Sequence, residues 1–559
     1  MSSDRCDVQM SKGSCGRTVV RNGRCIFHVK NKSKLEAERF KDEFLSYITR
    51  SLGDAQLEIV DCTSFVVPEI EMKLSSQDTK RVFAKLLVFR QADVSGYIIF
   101  EHATFNGNAG ADFAGSKFSE NAVAAFRRAT FNGNARADFK YMKFNGNAGA
   151  IFWGATFNES AEADFNDAKF DQNAHADFWG ATFKGNARAN FLGATFNEYA
   201  EANFGNARFK ENAEADFMST KFNQNAGTNF WNARFSENAR ATFSYAKFYQ
   251  NAWANFPMAT FNEDAEANFD NAEFSENAKA NFEHARFMGK ALGDFRNAVL
   301  SKSIFASLQI EETAKIRFGA LQERPPQDLS TVQFLETDVR LVDFGNVSWG
   351  IKPAGSVEDE RHITTQRGPS YEHVVLLYRR LRQNYESQLR CTDAANFFVR
   401  EMELLRCRPR HFGEQPSVAW SFRHVRDTFA SMNRRVAWDY NVNLWRLRKT
   451  LSILNLYYRV AKYGESYQRV IAVSAFSILA YALYIFLVED AKSIMDLTFV
   501  ELLFRYGDHV VRAFRLFFQV FEAASLSLQE VFFRLWSGLL LAVLYISLRR
   551  KLERKSASE

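Results

Sequence analysis

The stretch that decides the fold is Asn186-Ala187-Arg188-Ala189-Asn190-Phe191-Leu192-Gly193-Ala194-Thr195-Phe196. Ala187, Ala189 and Phe191 alternate with Arg188 and Asn190, the two-residue period of a strand with one buried face. Two residues later, Ala194-Thr195-Phe196 alternates again. Outward from this stretch the pattern returns every 13 residues. One phenylalanine set runs from Phe105, Phe118 and Phe131 to Phe287, fifteen in all, and a second from Phe113, Phe126 and Phe139 to Phe295. A short fixed period held this long describes a solenoid, in which each unit buries its apolar side chains only by stacking on its neighbours. Helical-hairpin repeats need about 33 residues or more, so the repeat is β. The inward set is small, small, large. Asn precedes the first alanine in eleven of the fifteen units, as in Asn108, Asn134, Asn186, Asn238 and Asn277. In that place it either forms a side-chain ladder from coil to coil or simply tolerates the turn.

Ala155-Thr156-Phe157, Ala168-Lys169-Phe170 and Ala207-Arg208-Phe209 resemble the pentapeptide-repeat proteins. The resemblance covers roughly residues 60–350 and implies inward phenylalanines on a right-handed quadrilateral β-helix. The five-residue step is present from Phe178 to Phe183 and from Phe191 to Phe196. The other step, Phe183 to Phe191, is eight, which lengthens that side. Two units then make a coil of about 26 residues with a rectangular section. Seven or eight such coils at ~4.8 Å each predict a rod on the order of 35 Å long.

The 559 residues divide accordingly. The expected fold class is mixed and multidomain: a right-handed parallel β-solenoid, then an α-helical linker and a transmembrane helical hairpin. Residues 1–32 read as a metal knuckle and 33–56 as an amphipathic capping helix carrying Leu35, Phe40, Phe44, Leu45 and Ile48. Residues 57–350 read as solenoid, with regular units over 101–300 and degenerate coils at each end, as in Cys62-Thr63-Ser64-Phe65 and Phe334 to Phe344. A linker follows over 351–369, a helical module over 370–465 and a membrane region over 466–559. The helical module steps through Val374, Tyr378, Leu381 and Tyr385, then Phe398, Met402 and Leu405, with Arg379, Arg380, Arg382, Arg400, Arg406, Arg408 and Arg410 on the polar side. It is similar to the helical module that follows pentapeptide repeats in some membrane proteins, which implies a cytoplasmic linker before the membrane.

Cys6, Cys15, Cys25 and His28 are the metal-ligand candidates. Three thiolates and an imidazole make a closed tetrahedral set of the structural zinc type. A segment this small builds no core of its own, so it either folds around the metal or is a disordered basic tail. Gly13, Gly16 and Gly23 ease the turns. The six cysteines suggest no disulfide framework, and the first thirty residues are polar, so a reducing compartment is expected.

Val470 to Val488 is a 19-residue stretch without charge, long enough to cross a bilayer. Val531 to Leu548 is the second span, closed by Arg549-Arg550-Lys551. Basic residues lie before the first span and after the second, so the positive-inside rule predicts a hairpin with both termini cytoplasmic. Between the spans, Leu502, Phe504 and Val510 through Phe521, interrupted by Arg505, His509, Arg512 and Arg515, predict an interfacial amphipathic helix. A pore-lining role for it makes the alternative, an oligomeric ion channel or membrane effector, but no carbonyl-filter sequence accompanies it.

The rest of the chemistry argues against an enzyme. The Gly-Asn-Ala repeats do not precede helices and form no phosphate loop. Asp112, Asp164, Asp177 and Asp216 read as solvated outward acids, and His102, His175 and His284 lie in separate units. Net charge is a mild +6; Arg5, Lys12, Arg17, Arg21 and Arg24 allow nucleic-acid contact, but few aromatics lie among them, so nucleic acid is an unlikely partner. The expected function is a non-enzymatic, membrane-anchored scaffold or protein-interaction protein. Its expected partners are the lipid bilayer, a cytoplasmic protein and a second copy of the chain.

Overall fold

In the computed structural model the chain is described over residues 5–10, 13–22, 24–78, 80–350, 357–361, 363, 371–407, 453–464, 466–489, 499–518 and 527–558. Most of the expected linker (351–356, 362 and 364–369), Gly23, Arg408, Arg410, the central part of the helical module and residues 519–521 of the expected interfacial helix lie outside these residues. Two compact units result, 1–377 and 378–559.

The first unit is a parallel β-solenoid. Each coil contributes four short strands, and like strands of successive coils pair in parallel. The first long face stacks twelve strands from Ile59–Asp61 to Val342–Phe344. The first short face stacks nine from Val66–Val67 to Glu273–Phe274, the second long face nine from Glu71–Ser75 to Lys279–Asn281, and the second short face ten from Val82–Phe83 to Gln309–Ile310. In the regular coils, long faces carry three-residue strands such as Arg188–Asn190 and short faces two-residue strands such as Thr195–Phe196. The register is 26 residues, with Phe105 opposite Phe131 and Ala111 opposite Ala137. The rectangular coil is therefore the one expected. The rod is longer than the seven or eight regular coils, because the degenerate segments at both ends also wind. Eleven intervals of ~4.8 Å give about 53 Å along the twelve-stranded face.

The repeat works because identical side chains meet themselves one coil away. Phe165, Phe191 and Phe217 stack at 4.7 Å with interplanar angles of 1° and 2°, the coil spacing itself. The facing column, Phe178 and Phe204, meets them edge-on, as in the 6.3 Å, 82° contact of Phe178 with Phe191. Offset stacks joined by T-contacts suit the aromatic quadrupole. The inward alanines are fully buried and leave the rings room. The asparagine ladder forms: Asn147 Nδ2 donates to Asn121 Oδ1 at 3.0 Å, Asn173 to Asn147 at 3.1 Å and Asn238 to Asn212 at 3.2 Å. Corners need left-handed residues, and non-glycines such as Glu159 (φ 60°) and Gln172 (φ 63°) share that task with Gly133 (φ 69°).

The outward acids are not simply solvated. Asp112, Asp164 and Asp216 are buried, at 3, 1 and 2 % exposure. Each accepts from the backbone N–H two residues on, as Asp216 does from Met218 at 2.9 Å, and each meets a cation. Arg90 reaches Asp112 at 2.6 Å, Lys140 reaches Asp164 at 2.9 Å, and Arg188 reaches Asp216. They lock the corner of the first long face rather than line a cleft. Asp177, half-buried on the opposite face, accepts from Trp179 N at 3.1 Å and Asn203 Nδ2 at 3.2 Å.

Both ends are covered, which an open strand edge requires. Helix α1, Lys34–Gly53, starts in a capping box in which Ser33 and Glu36 bond reciprocally. It buries Ala37, Phe40, Phe44 and Ile48, but Leu35 is 82 % exposed, so its apolar stripe is narrower than the sequence suggests. In the first coil Cys62 stands where Phe89 and Phe113 stand later, and Phe44 packs on Phe89 at 6.2 Å. At the other end Trp349 packs on Phe344 at 5.1 Å. Helix α2, Glu358–Arg361, brings the buried Asp359 to accept from Phe334 N at 3.0 Å and Leu335 N at 3.2 Å.

The second unit is helical. Helices α3, Tyr371–Ser387, and α4, Cys391–Cys407, flank the predicted turn, and Tyr385 meets Phe397 at 5.2 Å. Val374, Tyr378, Leu381 and Tyr385 are buried as expected. The inner face of α4 is Ala394, Phe397 and Glu401, not the predicted Phe398, Met402 and Leu405. The reason is electrostatic: the buried Glu401 takes Arg379 at 3.0 Å and Arg382 at 3.3 Å, which turns it inward. Helix α5, Ile453–Ala461, leads to α6, Tyr467–Glu489, then α7, Phe499–Phe517, and α8, Leu528–Ser558. Helix α6 and residues 528–549 of α8 are each long and apolar enough to cross a membrane. Tyr481 and Phe533 stack between them at 3.9 Å, and Trp536 Nε1 donates to Ser477 Oγ at 3.1 Å. Helix α7 buries Ala513, Leu516 and Phe517 in their shared core. Its Arg512 bridges Glu489 at 2.9 Å and Glu530 at 2.8 Å. Phe476, Phe504, Phe532 and Leu535 remain 66–75 % exposed.

Candidate metal centre

The four predicted ligands come together at the start of the rod. A short antiparallel pairing of Gln9–Met10 with Gly13–Ser14 folds the chain back. Cys15 N donates to Val8 O at 2.8 Å, and Gly16, at φ 59°, turns so that its N–H reaches Cys6 O at 2.9 Å. This sets Cys6 and Cys15 side by side. Residues 25–29 form a single turn in which His28 N and Val29 N both donate to Cys25 O at 3.0 Å. That turn puts Cys25 and His28 on one side.

Cys6 Sγ lies 3.3 Å and Cys25 Sγ 3.2 Å from His28 Nδ1, and Cys15 Sγ lies 3.6 Å from Cys25 Sγ. All four donor atoms fall within 4.8 Å of one another. Tetrahedral zinc with bonds of ~2.3 Å to sulfur and ~2.0 Å to nitrogen sets donors about 3.5–3.8 Å apart. The three closest donor pairs, at 3.2–3.6 Å, are within a few tenths of an ångström of that, and no pair exceeds 4.8 Å. It offers four ligands and no open position, which suits a structural ion. Cys6, Cys25 and His28 are buried and Cys15 is half-buried. The hydrogen bond from Cys25, followed by the one from His28, holds the Cys15 thiol down at about 3, while that same shared bond and burial push Cys25 up. One thiolate is thus already favoured before any ion binds.

The surroundings orient the ligands. His28 Nε2 lies 3.4 Å from Thr63 O of the first coil, so its Nδ1 faces the sulfurs. Val66 N donates to Phe27 O at 2.7 Å, and Phe27 stacks on Phe65 at 4.6 Å. Arg17 lies over both Phe27 and Tyr47 at 4.5 Å, joining the knuckle to α1. Lys32 donates to Val29 O at 2.6 Å and Val66 O at 2.7 Å, and burial lowers it to about 8. Sequence reasoning found the four ligands from their chemistry and missed Thr63, Arg17 and Lys32. A backbone carbonyl and a buried lysine stem carry no sequence signal. Compared with known protein families and with curated proteins, the chain matches none.

Proposed function

We propose that the chain is a non-enzymatic scaffold: a zinc-capped solenoid of the pentapeptide-repeat type, anchored in a membrane by two spans. One observation carries the scaffold reading. The interior of the regular coils is filled by phenylalanine and alanine at essentially zero exposure, so the outer faces are what the rod offers a partner. The partner is a cytoplasmic protein.

The membrane reading rests on the length and apolarity of α6 and α8 and on the large side chains they leave outward. Basic residues at Arg459, Lys462 and Arg469, and at Arg549 to Lys551, favour cytoplasmic termini. The cage of three sulfurs and one nitrogen favours zinc over harder divalent ions. Helix α7 is the reason to test for a pore, because it packs against both apolar helices in one shared core. Ion flux through liposomes carrying the purified full chain separates the readings. A scaffold gives no flux above empty liposomes. Flux that disappears on deleting residues 499–517 makes the protein a channel and the solenoid its sensor.

A further inference from the structure

The two long faces of the rod differ in kind. On the first, charges alternate from coil to coil and pair: Arg136 with Glu162, Arg188 with Glu214 at 3.2 Å, Arg240 with Glu266 at 3.6 Å. That face satisfies itself. The second long face begins with uncharged apolar side chains. Tyr97, Ile99, Val123, Ala125 and Ile151 point outward on three successive coils, and Ile99, Val123 and Ala125 pack so closely with Ile151 that they are only 3–7 % exposed, leaving Tyr97 and part of Ile151 at the surface. All four tryptophans of residues 101–300 lie on this face or its edge: Trp153, Trp179, Trp231 and Trp253. Three are 38–48 % exposed.

The rings are held flat. Gly205 and Gly227 have no room for a Cβ, because Trp179 and Trp253 lie over them. Trp179 and Trp231 stack on each other at 5.8 Å and 17° across the coil of Gly205. Trp153 Nε1 is taken by Asp177, and Trp253 Nε1 donates to Asn225 O at 3.1 Å. The indole N–H groups of these two rings are thus spent inside the chain, and each ring has one face taken, Trp153 by the Arg127 guanidinium at 5.4 Å and Trp253 by Gly227, which leaves the other face for contact. What this face exposes is a row of aromatic rings, Tyr97, Trp153, Trp179 and Trp231, each 38–48 % exposed, and an exposed apolar row of this kind marks an interaction surface.

We infer that this face binds the same face of a second copy, in an antiparallel pair about a twofold axis crossing near Ile151. The charges on either side of that point are complementary under the rotation. Arg128, at the edge one coil before Ile151, is exposed and makes no ion pair with a described residue. Asp177 and Glu201, one and two coils after it, meet no cation among the described residues. The twofold axis sets each Arg128, which lies past the strand end, near the partner's Asp177 at that same edge, and each Trp153 near its own mate. Isologous contacts of this kind are the commonest in homo-oligomers. Seven coils at ~4.8 Å, with a strand and its corners about 17 Å wide, give on the order of 500 Å² a side. That reaches the ~1,000 Å² in total that a specific interface needs. The inference rests on the scaffold reading and adds which face acts and on what.

The test uses the full chain in detergent. A benzophenone side chain is introduced at position 151 and, as a control, at position 240 on the opposite face. Light-scattering mass is measured for wild type, Ile151→Arg and Trp179→Ala. The expected result is a dimer that photo-crosslinks from 151 and not from 240, with at least a tenfold weaker dimer in both variants. The crosslink is read in the otherwise wild-type fold, so a variant that fails to fold does not decide the matter. A monomer, or a dimer that crosslinks from neither position and ignores both substitutions, overturns the inference. Either leaves the scaffold reading to the flux experiment.

Discussion

The regular coils and the N-terminal end solve one problem in opposite ways. In the coils, each buried ring finds its partner one coil away, and the partner is the same residue type. Phe191 has Phe165 beneath it and Phe217 above it, both at 4.7 Å. Stability is spread over many equal contacts. At the N-terminus the column has no next coil. There Cys62 replaces the phenylalanine, Phe44 comes in from α1, and four ligands at one point hold a segment with little core. A repeat that is stable through stacking has to be finished by something that is not a repeat, and here that is a cysteine–histidine cluster able to hold a metal ion, together with a helix.

The largest effect expected on the repetitive side comes from Phe191→Ala. It removes a ring with neighbours on both sides and should cost about 3–5 kcal/mol, read from chemical denaturation of the rod. On the metal side, Cys25→Ser should abolish the bound zinc, from about one ion per chain to none, as measured by elemental analysis. Its damage should be confined to the first coils, since Phe191 lies five coils further along the column than Cys62. Next comes Asn190→Ala. Asn190 is buried, donates to Asp164 Oδ1 at 3.1 Å and accepts from Leu192 N at 3.1 Å, so its loss should cost about 1–3 kcal/mol. Asn147→Ala cuts two exposed ladder bonds and should cost only about 0.5–1 kcal/mol.

The smallest effect is at Glu201, whose carboxyl is raised, first by burial and then by Asp177. The folded state therefore holds this proton more tightly than the unfolded chain, and stability falls as pH rises through the carboxylate range. Glu201→Gln should stabilise the rod slightly at pH 7, by less than about 1 kcal/mol of unfolding free energy because the group is partly exposed. The gain should vanish near pH 4.

Much of this was legible in the residues. The thirteen-residue period, the two phenylalanine steps and the coil of two units follow from side-chain alternation, which is local. The ligand set was legible because cysteine and histidine are rare here and cluster. What was hidden depends on the coil being closed. Asp164 reads as a solvated acid until the adjacent corner brings Lys140 and Arg136 against it. The rotation of α4 was hidden because Glu401 is buried by Arg379 and Arg382 of α3, an exchange that hydrophobic spacing does not encode. The concentration of tryptophan on one long face appears only when positions 26 apart are aligned.

The most direct test of the metal-capped solenoid is amide hydrogen exchange on the full chain, with and without stripping of the ion by a zinc chelator. The account predicts that residues 5–30, α1 and the coil of residues 59–75 lose protection while residues 110–290 keep theirs. Unchanged exchange throughout, or uniform loss along the whole rod, would contradict it.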